Sequence, residues 1–268
     1  MKTVFFDTSL INRSPYRFIL PQAIHSVLVV QTFVSFSKKL HNNFLISISP
    51  RSFIVAHSSP SLPSLTLPEI GSNTDGILET LVAHWHDVEP SHSETELAGK
   101  VCDLHQFNFL LWHEEDIARS PDVTDTKIAA VKRAIDKYNQ ARNDAIEKVD
   151  DWLIQELEHQ NIVAAKDAPA ATETPGSAID RLSILELRRY HMREQLERAD
   201  ASQEHREKVA EKMIILDQQR DHLITALDRL LQEIFSGKRP LRVFRQMKMY
   251  NDPAMNPYLY KSASNSVA

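Results

Sequence analysis

Lys132–Trp152 reads KRAIDKYNQARNDAIEKVDDW, and the spacing within it decides the fold. Ile128, Val131, Ile135, Tyr138, Ala145, Val149 and Trp152 recur at steps of three and four once Arg142 fills the empty slot between Tyr138 and Ala145. That is the seam of an amphipathic helix, with an arginine where an apolar residue is expected. Beside the seam Asp136, Asn139, Asn143, Glu147 and Asp150 recur at the same steps. Asn is a poor helix former because its amide competes for backbone hydrogen bonds. Two in one helix therefore mark a stripe where amide donors and acceptors are wanted, as for a sugar, a nucleotide base or a partner's backbone. A solvated face without a ligand is the competing reading.

Working outward, Thr124 supplies an N-cap and Asp125 a favourable charge at the positive end of this helix. It runs to about Gln160, and the Ala/Pro-rich stretch 161–173 that follows is a loop. Upstream, Ser93 and Glu96 have capping-box spacing for a helix ending at Ser120-Pro121. Its seam is Leu97, Val101, Leu104, Asn108, Leu111, Glu115 and Ala118. A shorter helix carries Ile77, Leu81, Trp85 and Val88. Downstream, Thr174-Pro175 opens a helix with Leu182, Leu185, Met192 and Leu196 on its buried side. After Ala201-Ser202 comes a long helix with Val209, Met213, Leu216, Arg220, Leu223, Leu227, Leu230 and Ile234, closed by Gly237. Leu241–Tyr250 fits either a strand or a helix. The spacing predicts an all-α bundle of about five helices, three of them long, in antiparallel hairpins across residues 74–257.

The totals agree. Only 5 of 268 residues are glycine, which disfavours folds built on tight turns and dinucleotide loops. The net charge of −5 argues against nucleic acid as a partner, and the single Cys102 excludes an internal disulfide framework and thiolate metal clusters. Residues 1–68 contain one acid, Asp7, against six Lys or Arg, so nearly all the acidity lies downstream. Residues 1–73 are read as a non-conforming N-terminal extension, disordered or upstream of the true start, and 258–268 as a flexible tail. The apolar run Phe18–Phe36 is broken by Pro21, Gln22, His25 and Gln31 and makes a poor membrane span. A cytoplasmic protein is expected.

Four residues violate the seams: Asn108, Glu115, Arg142 and Arg220. A charge left unpaired in a bundle core costs several kcal/mol, roughly, so these groups must meet one another, water or a ligand. Glu115 with Arg142 or Arg220 is the expected pair, within one polar layer shared by three helices. Trp112, His113 and Arg119 flank the same stretch. Glu114, Glu115 and Asp116 on one helix and Glu147 and Asp150 on the next could hold Mg²⁺ or Mn²⁺ through oxygen, and a bound ion could activate water against a phosphate ester. A charged surface without metal explains the same acids. Asp180 and Arg181 stand at the start of the fourth helix, and Lys248, Asn251 and Asp252 in a basic strip and turn near the end. The histidines are scattered, with no HExxH pair, and are read as ordinary packing or surface residues. No glycine-rich phosphate loop or nucleophile elbow is present.

LLWHEEDIAR at 110–119, IAAVKRAIDKYNQARNDAIEKVDDW at 128–152, ETPGSAIDRLSIL at 173–185 and KMYNDPAMNP at 248–257 together resemble the blocks of a bacterial family known as domain of unknown function 4254. The resemblance spans about residues 74–257. It implies a setting in envelope-glycan and glycosyl-transfer pathways, and it brings no catalytic residue with it. The leading expectation is a binding or accessory protein whose partners are glycosyltransferase-pathway proteins or a nucleotide-sugar. A Mg/Mn-dependent phosphohydrolase of nucleotides or nucleotide-sugars is the alternative, and a coiled-coil homodimer the second alternative.

Overall fold

The computed structural model describes residues 59–247, 249 and 252–258. Five helices carry them: α1 (Gly71–Trp85), α2 (Glu96–Arg119), α3 (Asp125–His159), α4 (Pro175–Glu197) and α5 (Gln203–Phe235). No strand occurs among the described residues, and 241–247 is irregular rather than strand or helix. The fold is an all-α bundle, as the spacing predicts. At 35 residues, α3 is about 50 Å long.

Local chemistry sets most helix ends. The hydroxyls of Thr124, Thr174 and Ser202 accept from the backbone N–H of Lys127, Ser177 and His205. Each satisfies a donor that a helix start leaves without an internal partner. The Ser93–Glu96 capping box does not form. Glu96 itself begins α2 with φ 51°, and Thr95 makes no side-chain cap. The Glu96 carboxylate instead accepts from Trp152 Nε1 at 3.1 Å, so a tertiary contact displaces the local one. Asn161 ends α3 at φ 56°, and Ile162 N–H donates back to Leu157 O at 2.9 Å. Gly237, at φ 71°, ends α5 as expected.

Two helix starts are capped from across the bundle. Asp228 of α5 accepts from Gly71 N at 2.7 Å, at the start of α1. Asp150 of α3 accepts from Gly176 N at 2.8 Å, at the start of α4. A side chain at position 176 would bring its Cβ to 2.6 Å from Ile146 O. Glycine is what allows α4 to begin against the backbone of α3.

The main core joins Leu78 of α1, Val101 and Leu104 of α2, Val149 and Leu153 of α3, Ile179 and Leu182 of α4, and Leu227 and Leu231 of α5. A second cluster gathers Ile77, Leu81, Trp85, Cys102, Phe109 and Leu187. The start of α2 meets the end of α3 through Glu96 and Trp152, while Leu111, farther along α2, packs with Val131 and Ile135 near the start of α3. The bundle begins earlier than residue 74. Leu65 and Leu67 pack on the main core, Ile70 belongs to it, and α1 starts at Gly71. Their apolar side chains therefore put the end of the expected extension inside the bundle. Residues 1–58, including the Phe18–Phe36 run, and 259–268 lie outside the described residues. Among those described, no helix is long and apolar enough to cross a membrane.

Gly176→Ala will lower stability by about 1–3 kcal/mol, the range for forcing atoms into a filled space. Urea denaturation followed by circular dichroism measures it. A neutral result would mean that α4 does not depend on this close approach.

Candidate functional site

The sequence places polar groups in the seams, and the structure sorts them into separate clusters. In the first, Asn108 of α2 donates through Nδ2 to Asp180 Oδ1 at 2.8 Å and to Ser183 Oγ at 3.0 Å. His105, fully buried, shares the same hydroxyl through Nδ1 at 2.8 Å. Burial raises the Asp180 carboxyl above the usual range. The Asn108 bond and the charges of Arg142 and Arg181 pull it partly back. Arg142 also donates to Asn143 Oδ1 at 3.2 Å. A polar cluster thus joins α2, α3 and α4, but of the four seam residues expected to form one layer it holds only Asn108 and Arg142, and α4 takes the place of α5.

Other expectations are corrected. Glu115 pairs with neither Arg142 nor Arg220. It meets Arg119 at 3.1 Å, one turn along its own helix, with Asp116 3.8 Å from the same arginine. Glu147 is held by Arg245, which also binds Asp151. Asp150 is buried as the cap of α4, and that burial pushes its carboxyl up to about 6, against the lowering effect of Thr174 and Gly176. Glu114, Glu115, Asp116, Glu147 and Asp150 therefore do not gather around one point. No three of them form a group able to hold an ion among the described residues. The stripe on α3 turns from solvent inward: Asp136 is exposed, Asn139 half-buried, and Asn143 and Asp150 buried. Arg181 pairs with Glu173 at the surface. Asp252 accepts from Ala254 N at 2.7 Å in the expected turn, whereas Lys248 and Asn251 lie outside the described residues.

Arg220 belongs to a second network that spacing did not reveal. Its Nε lies 3.9 Å from Asp75 of α1, and its Nη2 donates to Asp221 at 2.9 Å. Close by, Arg189 grips both oxygens of Glu186 at 2.7 Å and donates through Nε to Asp217 at 2.9 Å. Glu186, Arg189 and Asp75 are all buried.

The third cluster is histidine. His86 caps the end of α1, His113 lies in α2 and His191 in α4. Their ring centroids are 5.0 to 5.5 Å apart. One ligand atom from each lies within 4.8 Å of the others. The far nitrogens are already oriented. His86 Nδ1–H donates to Val82 O at 2.6 Å, and His191 Nδ1–H donates to Glu194 at 2.7 Å. In the neutral form of each ring Nε2 is then the lone-pair atom, and both Nε2 atoms are buried without a hydrogen-bond partner. Aromatic walls fix the rings: Tyr190 stacks on His86 at 4.2 Å and Trp112 on His191 at 5.0 Å. Burial, followed by the neighbouring imidazoles, pushes His113 down to about 4, and burial lowers His86 as well. These two rings are neutral at neutral pH. A hydrogen bond on the outer nitrogen and a free inner lone pair are what a metal-ligating histidine requires.

Of these three residues only His113 was singled out from the sequence. The others escaped because they come from three distant segments, and no short motif joins them. The local signal was the i, i+3 spacing of His191 and Glu194, which lets a carboxylate orient an imidazole on one helical face.

Within the first cluster, Asn108→Ala will cost about 1–3 kcal/mol, the range for leaving a buried acceptor without its donor. A double-mutant cycle with Asp180→Ala will return a coupling of about 0.5–3 kcal/mol. Additive losses in chemical denaturation would show that the two side chains do not act together.

Comparison with curated proteins and with solved structures finds no match. The family described as "Protein of unknown function (DUF4254)" matches residues 99–243. The match takes in His113, His191 and the first three sequence blocks, and leaves His86 and the block at 248–257 outside. It covers more than half of the 268 residues, and the chain belongs to that family.

Proposed function

We propose that this protein binds a divalent transition-metal ion through His86, His113 and His191. The observation that carries the proposal is the convergence of three imidazoles from three separate elements, two of them with oriented, buried and unpartnered Nε2 atoms. A buried polar atom without a partner costs about 1–3 kcal/mol, and coordination would satisfy two such atoms with one ion. A tetrahedral ion with Zn–N bonds of about 2.0–2.1 Å needs nitrogens about 3.3 Å apart. Small side-chain rotations bring the present spacing to that value. The donors are neutral nitrogens, which suit Zn²⁺, Ni²⁺ or Cu²⁺ better than Mg²⁺ or Mn²⁺.

An ion there would tie the end of α1 to α2 and α4. Its ligand atoms are shielded by Phe109, Trp112 and Tyr190, so the geometry favours binding and ordering over attack on a large substrate. In the envelope-glycan and glycosyl-transfer setting implied by the family resemblance, the protein would act as a metal-carrying accessory. The phosphohydrolase reading gains no support, because the acids it needs are dispersed.

Calorimetry of the full chain with Zn²⁺ will show one ion bound per molecule, and Mg²⁺ will show none. At a free concentration of 100 times Kd, Zn²⁺ will stabilise the fold by about 2.7 kcal/mol. His191→Ala and His113→Ala will abolish that increment while folding without metal. Ni²⁺ or Cu²⁺ will quench Trp112 fluorescence in the parent protein only. Zn²⁺ binding that survives both substitutions would overturn the assignment.

A further inference from the structure

The network around Asp75 and Glu186 plays no part in the histidine cluster, and its charges do not balance. Asp75 and Glu186 are buried with one guanidinium group, that of Arg189, while Arg220 and Asp217 join them from the partly exposed edge, with side chains 26% and 46% exposed. Glu79, also on α1, is occupied by Arg193 at 3.2 Å, and Asp221 sits at the solvent edge against Arg220. With both buried carboxyls ionised, Arg189 compensates one charge and the other is met only by Arg220 at 3.9 Å, which is costly away from water. The two deepest acids also touch each other: Asp75 and Glu186 are placed to share a hydrogen bond between their side chains. Two carboxylates cannot do that, since both only accept. Asp75 Oδ1 is buried with no donor available to it, while both Glu186 oxygens already accept from Arg189.

We infer that Asp75 and Glu186 hold one proton between them, and that this proton docks α1 onto α4, making the seating of α1 sensitive to pH. The shared proton supplies the missing donor and brings the charge of the buried group to neutrality. Burial raises both carboxyls above their ordinary range, against the pull of Arg189 and Arg220. The sign follows from linkage. The folded pair keeps its proton at a pH where the unfolded chain has lost it. The stability it contributes is therefore whole below the ordinary carboxylate range and is lost as pH rises through the folded pair's range. While the folded pair is still protonated, the unfolding equilibrium constant grows up to tenfold per pH unit.

Between pH 7 and 8 the comparison of the parent with Glu186→Gln isolates this group, because every other group titrates alike in both. The interval lies above the Asp150 value of about 6 and below the folded Cys102 thiol, pushed up to about 12, while an unfolded thiol at about 8.5 has begun to ionise by pH 8. His86, His105 and His113 are lowered and stay neutral there. The experiment is chemical denaturation of the full chain at pH 7 and pH 8 in a metal chelator, so that any metal-dependent ordering of α1 is silent. The parent protein will lose stability between the two pH values. Glu186→Gln, whose amide donates to Asp75 without a proton to lose, will show a smaller loss or none. Carboxyl carbon NMR of the unmodified protein gives a second reading that does not depend on the variant folding: one carboxyl of the pair will remain protonated at pH 7. Equal pH dependence in parent and Glu186→Gln, or a pair that is fully ionised by pH 6, would overturn the inference.

Discussion

The contact between Asp150 and Gly176 anchors the start of α4, the helix that carries Asp180, Glu186, Arg189 and His191. The carboxylate of α3 accepts from the Gly176 N–H, and the missing side chain at 176 lets the two backbones close to that distance. A helix start is a natural partner for a carboxylate, because unpaired N–H groups and the helix dipole both favour negative charge there. With α4 pinned at its origin and its axis packed on all four other helices, the depth of Asp180, Glu186, Arg189 and His191 is fixed by helical rise alone. Thr174 reinforces the same start through its own cap to Ser177. Burial makes the arrangement costly for the carboxylate, which is why its affinity for a proton is raised.

Much of this architecture was legible in the sequence because it is written in local periods. The seam of α3, its Thr124 cap, the loop 161–173 and the Thr174-Pro175 start depend on residues within a turn or two of one another, and the structure has them where spacing puts them. Arg142 and Asn108 were visible as misfits, and both act on Asp180, Asn108 by a hydrogen bond and Arg142 by its charge. What spacing could not supply was the choice of partner. Glu115 found Arg119 on its own helix because that pairing needs no tertiary alignment. Glu96 abandoned a local capping role for Trp152, a residue 56 positions away. The histidine cluster was illegible for the same reason: its members are separated by whole helices, and each looks ordinary where it stands.

Helix α4 shows where a periodic reading loses its grip. Asp180 and Ser183 face α2, Glu186 and Arg189 face α1 and α5, and His191 turns to α1 and α2. Those positions lie on the packed faces of α4, away from the exposed Arg181, Arg188 and Glu194, so polarity there signals pairing rather than exposure. Each of those groups must then be satisfied from within the bundle. The Asn108 amide donates to Asp180. Arg189 is matched by two carboxylates. At the two remaining places the chemistry of the unsatisfied atoms identifies the species that completes them. At the carboxyl pair, the inferred proton would supply the donor that the buried Asp75 Oδ1 lacks. At the histidines, the proposed metal ion would complete the two oriented Nε2 atoms of His86 and His191, whose outer nitrogens are already tied to a carbonyl and a carboxylate. One proton cannot serve both atoms and bring in His113 as well, which is why an ion rather than a proton is the species proposed there.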